Sequence, residues 1–113
     1  MNFYDKVHEM VRALKETEEY KEYLKLKKIV SENVEKKNML KEFKEKQREA
    51  QMMYINSGKP NEETQKVLEN LYSLLIQDDN IRKMFECEMK LDIMLADMQK
   101  IVAEGIKDVI EME

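Results

Sequence analysis

Apolar positions recur at three- and four-residue steps almost from end to end of this chain, the period of amphipathic helix rather than of strand. Phe3, Val7, Met10, Val11 and Leu14 form the first stripe, with Asn2 ahead of it as a capping residue. Thr17 can cap a second helix, and Glu18 and Glu19 behind it place negative charge where a helix N-terminus favours it. The predicted face of that helix is Tyr20, Tyr23, Leu24, Lys27 and Val30, the lysine stem filling a stripe position while its ammonium reaches water. Between Ser31 and Asn33 the pattern breaks. Either residue can cap the third helix, and the pattern leaves open whether the chain turns there or only kinks. Leu40, Phe43, Gln47, Ala50 and Tyr54 then alternate at spacings of three and four, the narrow seam of a paired helix.

The one unmistakable loop is Asn56-Ser57-Gly58-Lys59-Pro60. Gly58 can end the preceding helix in the left-handed conformation, and Pro60 cannot continue it. Asn61 caps the next helix, whose broad predicted face is Val67, Leu68, Leu71, Tyr72, Leu74 and Leu75. Gln77-Asp78-Asp79-Asn80 supplies a second break and another cap. From Ile81 onward three heptad series run together: Met84, Leu91 and Met98; Cys87, Met94 and Ile101; Leu95, Val102 and Val109. Gly105 alone weakens this segment, by about 1 kcal/mol against alanine. Helical to Glu113, its 33 residues would span roughly 50 Å. A compact domain of this size has a diameter of only about 35 Å. Either a second chain covers the excess stripe, or the helix ends near Gly105. A homodimer is the expectation.

Composition narrows the alternatives. With 113 residues, two glycines and one proline, the chain cannot supply the turns of a many-stranded sheet. Gly58 and Gly105 lie too far apart to form a phosphate-cradling loop. The hydrophobic share of 42% is too high for wholesale disorder, so a single all-helical domain over residues 1–113 is expected. The net charge of −4 implies no general affinity for nucleic acid. Residues 1–60 carry 14 basic and 11 acidic groups, and residues 61–113 carry 6 and 13. No apolar run is long enough to span a bilayer, the N-terminus lacks a secretory apolar region, and one cysteine suits a reducing compartment. The expected location is the cytoplasm.

Chemistry finds little to work with. His8 lies between Val7 and Glu9 on a helix and reads as a solvated side chain. Cys87 follows Glu86 and precedes Glu88, and adjacent carboxylates raise a thiol pKa, so it reads as a small apolar filler. There is no His-x-x-x-His, no Cys-x-x-Cys and no Glu-x-x-His spacing for a metal, and no cofactor is expected. Arg12, Arg48 and Arg82 each stand alone in a different predicted helix, which excludes the arginine-lined dianion pocket of small helical mutases. The basic stretch Lys36–Arg48 is interleaved with Glu35, Glu42, Glu45 and Glu49 and reads as an exposed helix with i,i+4 pairs. An enzyme is not expected. Met52 and Met53, close to the exposed loop, suit a contact surface better than a core, because thioethers adapt to changeable partners.

Several pieces in order resemble the YlbF/YmcA family of small helical bacterial proteins, in its YheA-like, UPF0342-type branch. They are Asn2-Phe3-Tyr4-Asp5, Ala13-Leu14 and Glu18-Glu19-Tyr20, then Phe43 and Gln47, then the Gly58 loop with an acidic helix start. The run Glu86-Cys87-Glu88-Met89 and the stretch from Met94 to Val102 complete the likeness. The resemblance implies a dimer-forming, cytoplasmic helical protein without known catalytic activity. It also implies partners among regulatory proteins that influence competence, sporulation and biofilm formation, in part through ribonuclease-dependent mRNA processing. Some relatives carry C-terminal cysteines that help hold an iron–sulfur cluster. Here Cys87 is alone, and one thiolate cannot supply a four-cysteine site.

The expected architecture is therefore all-α, an antiparallel helical hairpin or bundle of about five helices with a long C-terminal helix, dimeric. Met84, Leu91, Met94, Leu95, Met98, Ile101 and Val102 are its expected core or interface. Leu40, Phe43 and Tyr54 seam the hairpin, and Met52 and Met53 are candidate contacts at its tip. The expected function is a non-enzymatic regulatory or adaptor module working by protein–protein contact. The alternative is an RNA-associated subunit of an mRNA-processing complex, using the Lys36–Arg48 face.

Overall fold

The computed structural model describes residues 2–110 as six helices, with no strand among them. They are α1 (Phe3–Lys15), α2 (Glu18–Ser31), α3 (Val34–Ser57), α4 (Glu62–Leu75), α5 (Asp79–Gly105) and α6 (Lys107–Ile110). Side chains start most of them. Asn2 accepts the Tyr4 N–H at 2.8 Å, Asn33 the Lys36 N–H at 3.0 Å, and Asn61 the Thr64 N–H at 3.0 Å. Asp78 does the same for Ile81 at 3.0 Å, and the Thr17 hydroxyl accepts the Tyr20 N–H at 3.3 Å. Each bond satisfies an amide that the first helical turn leaves without a partner. Asn33, not Ser31, therefore caps α3, and only Glu32 and Asn33 separate it from α2.

Among the described residues, 2–23 with 85–110 form one compact unit and 24–84 the other. In the central unit, α3 and α4 form an antiparallel hairpin. Thr64 Oγ1 lies 3.4 Å from Met53 Sδ near the loop. Phe43 and Tyr72 meet further down with ring centroids 6.1 Å apart and planes tilted by 34°, and Lys36 meets Asp78 at the open end. Gly58 closes α3 at φ 74°, its N–H donating to the Tyr54 carbonyl at 2.7 Å. Leu26, Val30, Phe43, Leu75, Ile81 and Met84 are buried here, while the terminal unit buries Phe85 and Cys87.

The expected all-α architecture of about five helices stands, with a further four-residue helix because Ile106 leaves the helical path immediately after Gly105. Of the two alternatives left open for the C-terminal helix, the structure takes the end at Gly105, with 27 residues over about 40 Å. Its expected continuation to Glu113 lies outside the described residues past Ile110. In α2 the buried line is Leu26 and Val30, with Tyr23 half-buried, whereas Leu24 and Lys27 are exposed. The observed face exchanges Leu24 for Leu26 and leaves the whole Lys27 side chain toward water, where its ammonium needs no cover. The α4 face is also narrower than expected. Leu75 is buried and Leu68 and Leu71 are half-buried, but Val67, Tyr72 and Leu74 are exposed.

Candidate protein-interaction surfaces

The heptad series of α5 are covered at one end of the helix only. Met84 is 3% exposed, and Leu91 and Met98 after it are half-buried. Cys87 is buried, Met94 half-buried and Ile101 68% exposed. Leu95 and Val102 rise from 40% to 48%, and Val109, past the break at Ile106 and on α6, is 78% exposed. The apolar repeat continues past the point where the chain covers it. The side chains that cost most to leave in water are those nearest Gly105.

Within the terminal unit, α1 and α5 line an open apolar groove of about 340 Å³. Met10, Val11, Ala13 and Leu14 stand on one wall, with Met94, Leu95 and Met98 on the other. Thr17 adds the one polar side chain, and its hydroxyl is already engaged, donating to the Leu14 carbonyl at 2.7 Å. Such a lining offers no hydrogen bonds to orient a polar small molecule. It suits another apolar surface, and its three thioethers can adapt to that surface's shape. The stripe on α1 was legible in the sequence. Its pairing with Met94, Leu95 and Met98 was not, because periodicity assigns a face to a helix but not a neighbour to a face.

The hairpin carries the second apolar surface. Phe43 is buried and Leu40 half-buried in the seam, whereas Tyr54, Met52 and Met53 are exposed near the loop, with Ile55 beside them. The basic stretch of α3 is partly consumed within the fold. Lys36 pairs with Asp78, and Lys46 with Glu49 at 3.3 Å.

The titratable groups favour structure over chemistry. Burial first, then the Glu22 carboxylate, pushes the Cys87 thiol up; Lys90 opposes this, and Glu19 and Glu86 add to it. A buried thiol held protonated is a poor nucleophile and a poor ligand. Among the described residues no group of three or more His, Cys, Asp or Glu side chains is placed to hold a metal ion. The donor set of an iron–sulfur cluster does not fit this chain. Tyr23 is pushed up to about 12, first by burial and then by the charge of Glu88, to which its hydroxyl donates. No described helix is long and apolar enough to cross a membrane.

Residues 3–107 match the profile of the family described as control of competence regulator ComK, YlbF/YmcA. The chain belongs to the YlbF/YmcA family. It is similar to the UPF0342 protein STH1710 of Symbiobacterium thermophilum, 33% identical over 103 residues that cover 91% of this chain and 92% of the relative. The UPF0342 protein NT01CX_2274 of Clostridium novyi is 33% identical over 108 residues, covering 96% and 95%. Among solved structures, yheA from Bacillus subtilis superposes with a TM-score of 0.67 at 20% identity, covering 96% of this chain and 99% of that one. At that identity the likeness speaks for the fold. The family relationship matches the resemblance carried by Asn2–Asp5, the Gly58 loop and the Met94–Val102 run.

Proposed function

We propose that this chain is a non-enzymatic regulatory adaptor of the YlbF/YmcA family, a single domain that works as a cytoplasmic homodimer. The observation that carries the reading is the emergence of the α5 heptads from cover between Met84 and Val102, beside the apolar α1/α5 groove. Oligomers of identical chains commonly pair the same patch twice, and a helix face with an unfinished heptad repeat is suited to that arrangement. Met94, Leu95, Met98, Ile101 and Val102 are the proposed dimer contacts. Met52, Met53 and Tyr54 form a second contact surface for another regulatory protein.

The family description, control of a competence regulator, supports a regulatory role. The alternative of an RNA-associated subunit drew on the Lys36–Arg48 face, and the ion pairs of Lys36 and Lys46 weaken it. Light scattering at micromolar concentration tests the dimer. A mass of two chains is expected, and a mass of one would overturn it.

A further inference from the structure

We propose that the face of α3 bearing Lys37, Lys41 and Arg48 docks an acidic α-helix of a partner protein, whose apolar end seats on Met52 and Ile55. These five residues follow one another at steps of four, seven, four and three, so they form a single row along α3. The three basic members fall within about 40° of arc on a helix of 3.6 residues per turn. All five are exposed, Ile55 at 67%. The row is about 27 Å long and changes character part-way, charged for its first three turns and apolar at the hairpin tip. Phe43, the buried residue of α3, lies on another side.

A second row decides between classes of partner. Glu42, Glu45 and Glu49 stand about 100° further round the same helix. Lys46 belongs with them, bonded to Glu49. A nucleic-acid backbone laid along the basic row would bring its charge close to these carboxylates, and its phosphates would gain nothing from Met52 and Ile55. An α-helix about 10–12 Å wide contacts one row and leaves the other in water. Carboxylates at spacings of four and seven on such a helix meet the basic groups in register, and apolar residues beyond them cover the methionine and isoleucine. The charges steer and set register, while the apolar end holds.

The inference rests on the adaptor reading, but its test is separate from the dimer. Fluorescence anisotropy would measure binding of two synthetic helical peptides with glutamates at that spacing followed by leucines, one for each chain direction, beside a scrambled peptide of equal composition. One ordered peptide is expected to bind about tenfold or more tightly than the scrambled one, with affinity falling as salt rises. The pair Lys37→Glu and Lys41→Glu should weaken it about tenfold, while Lys66→Glu with Lys83→Glu leaves it unchanged. Met52→Ser with Ile55→Ser should weaken what binding survives at high salt. Helix content by circular dichroism and mass by light scattering confirm that each variant keeps the fold and oligomeric state of the parent. Equal binding of the scrambled peptide overturns the proposal, as does no binding by either ordered peptide. So does a short single-stranded RNA that displaces the peptide and is itself lost in the Lys37/Lys41 variant.

Discussion

Lys36 and Asp78, 42 residues apart in sequence, tie the open end of the α3–α4 hairpin to the start of α5 through one carboxylate. Lys36 Nζ donates to Asp78 Oδ2, while Oδ1 accepts the Ile81 N–H at 3.0 Å. The lysine bond is the main reason the carboxyl lies below its ordinary 3.8; partial burial opposes it, and the Ile81 and Asn80 amides add to it.

Asp78→Ala removes both bonds and should cost about 1–2 kcal/mol, a helix cap plus a solvent-screened ion pair. Asp78→Asn keeps an oxygen for Ile81 and should cost about half of that. Because the folded pKa is depressed, the contribution is present above the ordinary value near 3.8 and is lost as pH falls through the lower folded value. Denaturant unfolding of the parent and both variants across the acid range measures this. The gap between parent and Asp78→Asn should close in acid.

Tyr23 provides the opposite case at high pH. Its phenol, pushed up to about 12 by burial and Glu88, stabilises the fold fully below the ordinary 10.0. That contribution fades as pH rises from 10 through 12, since the unfolded chain gives up the proton first. The absorbance of phenolate should therefore show a component that ionises near 12. Tyr23→Phe should abolish the late component. An unchanged titration in that variant would exclude the Tyr23–Glu88 bond.

Gly58→Ala isolates backbone strain. A Cβ at Gly58 meets no atom within 4 Å, so the penalty comes from φ 74° alone. The expected cost is about 1 kcal/mol, and Gly58→Asn, which tolerates the left-handed region better, should recover part of it. Gly105 has the same open surroundings without a positive φ and is the last residue of α5, so Gly105→Ala should stabilise the helix by less than the roughly 1 kcal/mol of an interior position. Urea denaturation midpoints of the three variants decide both signs.

Local chemistry was legible where one short segment determines the outcome. Asn2, Gly58 and Asn61 needed only their immediate neighbours to act as caps, and the helices they bound were readable from the chain. Leu24 and Leu26 show where that reading ends. Both fit an apolar period, and only the packing of the central unit decides which is buried. The Lys36–Asp78 and Tyr23–Glu88 partnerships are non-local, and nothing in the spacing of either pair announces them. The heptads of α5 were readable as a repeat, but their progressive exposure depends on where the rest of the chain stops covering them.

Leu95 is the residue through which the proposed dimer is best tested. It lines the α1/α5 groove yet is 40% exposed, so a carboxylate there can still reach water in a single chain. Across a self-complementary interface the same substitution sets two buried charges close together, at a cost of several kcal/mol. Leu95→Glu should therefore shift the light-scattering mass from two chains to one, while helix content in the single chain stays near that of the parent. Met84→Glu is the contrast: at 3% exposure it should unfold the central core instead of releasing an intact chain. A Leu95→Glu protein that kept the mass of two chains would place the dimer contact on another face.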